Sequence, residues 1–146
     1  MKINQYDNYC EVVFEAKSEN EGFARVVAAA FCTSLDPTVE EIADVKTAVS
    51  EAVTNCIVHG YNGGGGLIRM KCMIKACMLT VEIHDDGVGI ENIDRALEPL
   101  FTTKPELERS GMGFSFMEAF MDDLKVDSAK NKGTTVTMTK RIGAQV

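Results

Sequence analysis

Apolar and polar positions change their period several times along the chain, and each change predicts an element. From residue 9 to 16 they alternate, with Cys10, Val12, Phe14 and Ala16 on one side and Glu11 and Glu15 on the other, which reads as a half-buried strand. Phe23, Val26, Val27, Ala30 and Phe31 then recur at helical spacing, behind a Ser18/Glu21 pair spaced as a capping box. Asp36-Pro37 marks a turn. Thr38 with Glu41 repeats the capping signature and opens a longer helix running to about Gly60, with a stripe of Ile42, Val45, Val49, Ala52, Val53 and Cys56. Four glycines at 63–66 read as a plain flexible loop, because no Gly-Lys-Ser/Thr ending follows them.

Period two then returns. Ile68, Met70, Cys72 and Ile74, followed by Leu79, Val81 and Ile83, flank Ala76-Cys77 and predict a hairpin. A polar, proline-containing stretch over about 91–110 predicts a mobile, lid-like segment. Phe114, Met117, Phe120 and Met121 form another helical stripe, and residues 124–128 and 134–140 read as strands around the turn Asn131-Lys132-Gly133. This order suits an α+β, two-layer α/β sandwich: a mixed, mainly antiparallel sheet with helices on one face, in one domain spanning 1–146.

Composition narrows the function classes. With 146 residues there is room for one real core. No apolar run approaches the roughly 20 residues of a membrane span, and the first residues lack the apolar stretch of a signal peptide, so a cytoplasmic location is expected. Five cysteines, an odd number without Cys-x-x-Cys, fit buried free thiols better than disulfides or zinc. A net charge of −7 disfavours direct nucleic-acid binding and leaves a protein partner open.

Four places could carry chemistry. Glu51 and Asn55 lie four apart on the second predicted helix, away from the centre of its apolar stripe, and His59 continues that face. A solvated helix face is the plain reading; a carboxylate that orients a hydroxyl, beside an amide oxygen for Mg²⁺, is the functional one. Asp85 shares the inward parity of Leu79, Val81 and Ile83, where a carboxylate needs a partner such as the adenine amine. Gly87 and Gly89 after it let backbone pass close to a planar base, although a tight turn capped by Asp85 is an equal reading. Gly111, Met112 and Gly113 precede a helix, so their amides could face phosphate, with Arg109 two residues upstream as a cation. Thr134 shares the inward parity of Val136 and Met138 and could assist Asp85.

Each pattern is modest alone, but their order is not. A Glu…Asn helix, Asp-x-Gly-x-Gly, a lid-like loop, Gly-x-Gly and a Gly-Thr strand together resemble the nucleotide-binding domain of gyrase, heat-shock chaperone ATPases, histidine kinases and MutL. Ser50-Glu51-Ala52-Val53-Thr54-Asn55-Cys56-Ile57-Val58-His59-Gly60-Tyr61 and Pro99-Leu100-Phe101-Thr102-Thr103-Lys104-Pro105-Glu106-Leu107-Glu108-Arg109-Ser110-Gly111-Met112-Gly113-Phe114 are more specific. They resemble the anti-sigma-F family of endospore-forming bacteria, serine kinases related to the stress-response anti-sigma kinases. Ser18-Glu19-Asn20-Glu21-Gly22-Phe23-Ala24-Arg25 and Asn131-Lys132-Gly133-Thr134-Thr135 fit as well, so the likeness runs over nearly the whole chain.

The resemblance implies a Bergerat-type fold binding ATP or ADP with Mg²⁺. Glu51 would be the base toward a serine of the anti-anti-sigma factor, and Asn55 the metal ligand. Asp85 and Thr134 would read adenine, and the backbone from Gly111 to Phe114 would hold phosphates under a lid carrying Thr102 and Thr103. Arg109 would meet the γ-phosphate or the docked partner, and Arg25 would lie on the partner face. The family forms homodimers that sequester one sigma factor of the sporulation sigma-F type. Two positions depart from its pattern: the glycine-rich loop at 63–66 is short, and His84 stands where an arginine is expected. A module in which nucleotide only regulates docking, without kinase turnover, is the competing reading; Glu51 argues against it.

Overall fold

A computed structural model of the chain describes residues 5–97 and 113–143. Strand β1 (Asn8–Glu15) leads into helix α1 (Glu19–Phe31), a short 3-10 turn (Cys32–Leu35) and helix α2 (Val39–Asn55). Strands β2 (Leu67–Lys75) and β3 (Met78–Asp85) form the predicted hairpin, with Ala76 in a left-handed conformation at its tip. After the short α3 (Ile93–Ala96), helix α4 (Gly113–Phe120) precedes strands β4 (Asp123–Ser128) and β5 (Thr134–Arg141).

The five strands lie in the order β1-β2-β3-β5-β4. Every pairing among the described residues is antiparallel, so the parallel pair that a mixed sheet allows is not found there. The connections explain this. Two successive helices between β1 and β2 return the chain antiparallel to where it left. The crossover through α4 makes β4 run in the direction of β3, but β5 lies between those two strands.

Strand parity sets the core. Ile68, Met70 and Cys72 on β2, Leu79, Val81 and Ile83 on β3, and Met138 on β5 are wholly buried against the helical layer. From that layer come Val45, Ala48, Val49, Ala52 and Val53 of α2 and Met117 of α4, also wholly buried.

The two predicted capping boxes come out differently. Thr38 is extended (φ −72°, ψ 163°), and its hydroxyl accepts from the Glu41 amide at 3.0 Å while Glu41 accepts from the Thr38 amide at 2.8 Å. Ser18 already has helical dihedrals (φ −52°, ψ −39°), so its side chain caps nothing, and Glu21 instead pairs with Arg25. The predicted stripe of α1 is rotated too. Ala24 and Ala28 are its fully buried residues, whereas Phe23 and Val26 are 50% and 57% exposed. Small alanines let α1 approach α2 closely, and that contact, rather than the largest apolar side chains, selects its inner face.

Candidate functional site

The site begins where α2 ends. The helix does not simply stop at Asn55: Cys56–Gly60 widens into a π turn, with the Tyr61 amide reaching the Cys56 carbonyl at 2.9 Å. Such a turn re-aims the chain without breaking the helix, and it brings Gly60 against the end of β3. A side chain at Gly60 would stand 2.8 Å from the Asp85 carboxylate, closer than real contacts allow. Glycine is therefore what lets Asp85 lie against the helix end.

Asp85 is only 2% exposed. Its Oδ1 accepts from the Gly87 amide at 2.9 Å, and the buried Cys56 thiol donates to the same carboxylate. Burial raises the Asp85 carboxyl above the ordinary carboxylate range, and the Gly87 amide and Cys56 thiol pull it partly back. Burial, then the neighbouring Asp85 charge, pushes the Cys56 thiol well up, so it stays a proton donor. Sequence reasoning placed Cys56 in the helix core and missed this contact; its position one residue after Asn55 was the available signal.

The loop after β3 is fixed from two sides. The Val88 amide donates to the Gly60 carbonyl at 2.9 Å, and the Val88 carbonyl accepts from the Asn131 amide at 2.6 Å. A side chain at Gly87 would run into the Gly60 carbonyl, and one at Gly89 (φ 74°) into the Ala129 carbonyl. Gly133 (φ 76°) likewise lets the β4–β5 turn close on the Asp85 backbone. At these glycines the close approach is of one protein segment to another.

Thr134 stands opposite Asp85 in the β3–β5 register and is 8% exposed. Its hydroxyl pairs with Ser128 Oγ at 2.8 Å, and Ser128 also donates to the Gly133 carbonyl and accepts from the Ile90 amide. Ser128, which the sequence reading did not single out, thus ties the β3 loop to Thr134.

Glu51 and Asn55 are half-buried one turn apart on α2, leading toward the π turn. Gly113 is the first residue of α4, which packs on α2, and Phe114 is half-buried against the core. Thr102, Thr103, Arg109, Gly111 and Met112 lie outside the described residues. Arg25 is exposed on α1, well apart in the chain from these groups, with its guanidinium 3.3 Å from Glu21.

His84 faces the opposite side of the sheet from Asp85. Its ring nitrogens contact Thr135 Oγ1 and Asp86 Oδ1, each at 2.7 Å, and the Asp86 amide donates to the Tyr61 hydroxyl at 2.8 Å. The departure at position 84 therefore lies on the outer face of β3, away from the contacts of the buried carboxylate with Gly87 and Cys56.

An oxygen-rich set of one amide and carboxylates suits a hard cation that keeps water and phosphate ligands, which is how Mg²⁺ is usually held. Among the described residues no cluster of three His, Cys, Asp or Glu could hold a metal by itself. No helix among the described residues is long and apolar enough to cross a membrane.

Comparison with known proteins places this arrangement. Residues 14–140 match the family described as the histidine kinase-like ATPase domain. The chain is 57% identical over 140 residues to the anti-sigma F factor of a Thermoanaerobacter species, covering 96% of this chain and 98% of that one. It is 58% identical over 135 residues to the anti-sigma F factor of Clostridium acetobutylicum (92% and 94% covered), and 55% identical over 136 residues to that of Geobacillus thermodenitrificans (92% and 93%). Its fold is similar to a crystal structure of the RsbU and RsbW domains of a Mycobacterium tuberculosis protein: TM-score 0.63, 16% identity, 92% of this chain and 32% of that longer one. This chain belongs to the anti-sigma F factors, within the histidine kinase-like ATPase domain family.

Proposed function

We propose that the chain is an ATP-dependent protein-serine kinase and an anti-sigma factor. It would hold a sporulation sigma factor of the sigma-F type and phosphorylate a serine of the anti-anti-sigma factor, working as a homodimer whose bound nucleotide decides between partners. The observation that carries this reading is the buried Asp85 carboxylate, set by Gly60 against the helix that bears Glu51 and Asn55.

Within that reading each residue has a task. Asp85 accepts a hydrogen bond from the adenine amine, which relieves part of the cost of burying its charge, while Thr134 and Ser128 fix the neighbouring backbone. Asn55 offers its amide oxygen to Mg²⁺, which neutralises charge on the transferring phosphoryl group when bound. Glu51 accepts the proton of the partner serine. Gly111, Met112, Gly113 and Phe114 supply backbone amides to the phosphates, and Arg109 adds a positive charge there. Thr102 and Thr103 belong to the segment that closes over the nucleotide. Phosphoryl transfer depends mainly on positioning and charge neutralisation, so this inventory suffices.

Partner choice follows from the same chemistry. Loss of the γ-phosphate removes what Arg109 and the lid hold, and the surface offered to a partner changes with it. Arg25 on α1, flanked by the exposed Phe23 and Val26, supplies the sigma-factor contact. The test is to incubate the protein with γ-labelled ATP and the anti-anti-sigma candidate from the same operon. Labelled phosphoserine on that candidate is expected. ATP binding without transfer would leave the docking module as the correct reading.

A further inference from the structure

Cys10 and Cys72 stand directly opposite each other in the β1–β2 ladder. Both side chains point to the helix-covered side of the sheet. Cys72 is wholly buried, and Cys10 is half-buried where the core reaches the sheet edge. Directly opposed residues on antiparallel strands have Cα atoms about 4.5–5.5 Å apart, which lies within the roughly 4.4–6.8 Å that disulfides span. The two thiols are hydrogen bonded to one another, and both are free. The register thus sets the two backbones at a spacing that a disulfide can bridge.

We propose that Cys10 and Cys72 are an oxidant-sensitive dithiol, which peroxides convert into a cross-strand disulfide that staples the edge strand β1 to β2.

The pair divides the chemistry between a nucleophile and a resolving thiol. The hydrogen bond from Cys72 outweighs burial and lowers the Cys10 thiol to about 7, so a good part of it is thiolate near neutrality. Cys72 is pushed far up by the same hydrogen bond and by burial, and it keeps its proton. The Cys10 thiolate attacks a peroxide oxygen. A sulfur–oxygen bond forms, the oxygen–oxygen bond breaks, and the hydroxide released is protonated to water. The Cys72 sulfur then attacks the sulfenic acid on Cys10. The sulfur–oxygen bond breaks, and the departing hydroxide leaves as a second water with the Cys72 proton. Two thiols lose two electrons, and one peroxide becomes two waters.

The other thiols lack this arrangement. Burial raises Cys32 and Cys56, and Cys56 is engaged with Asp85. Cys77 is half-buried at the hairpin tip, and no cysteine stands opposite it in the ladder. The staple would act on a strand with a single neighbour. It would also hold the edge-to-face contact of Phe14 on β1 with Phe23 on α1 (centroids 6.1 Å apart), and so the surface beside Arg25.

The test treats the full chain with hydrogen peroxide, alkylates the remaining thiols under denaturing conditions and maps peptides without reduction. A linked peptide pair containing Cys10 and Cys72 is expected, with the intact mass lower by two hydrogens and restored by dithiothreitol. Amide exchange in β1 should slow several-fold. Cys72→Ser should strand Cys10 as a sulfenic acid trapped by dimedone, whereas Cys10→Ser should leave Cys72 unmodified at the same dose. If Cys72→Ser does not fold, the wild-type map and Cys10→Ser decide. Sulfinic acid on Cys10 beside an unmodified Cys72, or faster oxidation of Cys77 than of Cys10, would overturn the proposal.

Discussion

Helices α1 and α2 carry similar sequence signals, a capping motif followed by an apolar stripe, yet they use them in different ways. In α2 the Thr38/Glu41 box forms, and five residues of its inner face are wholly buried. In α1 the Ser18/Glu21 box does not form, two small alanines are wholly buried, and two large apolar side chains face outward. The cause is position in the layers. Helix α2 packs on both α1 and α4, while α1 packs mainly on α2. Packing therefore fixes the inner helix and the groups at its end, and leaves the outer helix a free face. The inner helix is suited to hold chemistry in place, and the outer one to meet a partner. Arg25, proposed above for the sigma-factor contact, is held there by an exposed i,i+4 pair with Glu21 worth about 0.3–0.5 kcal/mol.

That division can be broken by substitution. The largest effect should come from Glu51→Gln at the inner site: phosphoserine formation should fall by about 10²–10⁴-fold in single-turnover assays with ATP binding nearly unchanged. Equal activity would remove Glu51 from the base role. Asp85→Asn comes next. It removes the ionised acceptor, and calorimetry should show ATP affinity falling by about 10–100-fold, the value of a hydrogen bond to a charged group. In contrast, Arg25→Ala on the outer helix should weaken sigma-factor capture by about 2 kcal/mol in pull-down titrations, with the melting temperature and ATP affinity hardly altered. A comparable loss of ATP affinity would merge the two regions. The smallest effects test the helix starts: Thr38→Ala should cost about 1 kcal/mol of stability by urea titration, and Ser18→Ala less than about 0.5 kcal/mol.

Acidity sharpens the same contrast. Burial raises the folded-state pKa of Asp85, so its ionised form destabilises the fold at neutral pH. As pH falls through that raised value the carboxyl takes up a proton, and the wild type should gain stability relative to Asp85→Asn. ATP affinity should fall over the same range, because the ionised acceptor is lost. Parallel titrations by calorimetry and thermal melting check both signs. An opposed response of binding and stability is expected of a residue kept for a ligand and not for the core.

Much of this was legible beforehand. Parity placed Asp85 and Thr134 on the inner face, since alternation along a strand is a local property and holds to the last residue. The Thr38 capping box was readable for the same reason: all its atoms lie within four residues. The rotation of α1 was not readable, because Phe23 and Ala24 are equally acceptable on a helix and only the approach of α2 selects the small residue. Cys56 looked like one more core residue; its place next to Asn55 was a hint, but its contact with Asp85 depends on the π turn that follows α2. The partner of Thr134 was missed because Ser128 reaches it across a strand pair.

The sequence by itself determined the periods of the strands, the start of α2, the family motifs and their order along the chain. These are set by local sterics and by residues within a turn of one another. Only the tertiary structure decided which face of α1 is inward, that Gly60 makes room for Asp85, that Ser128 and Cys56 support the site, and that Cys10 meets Cys72. Each of these depends on contacts between segments distant in sequence. Their register and approach follow from how the whole core packs, which the residues of any one segment leave open.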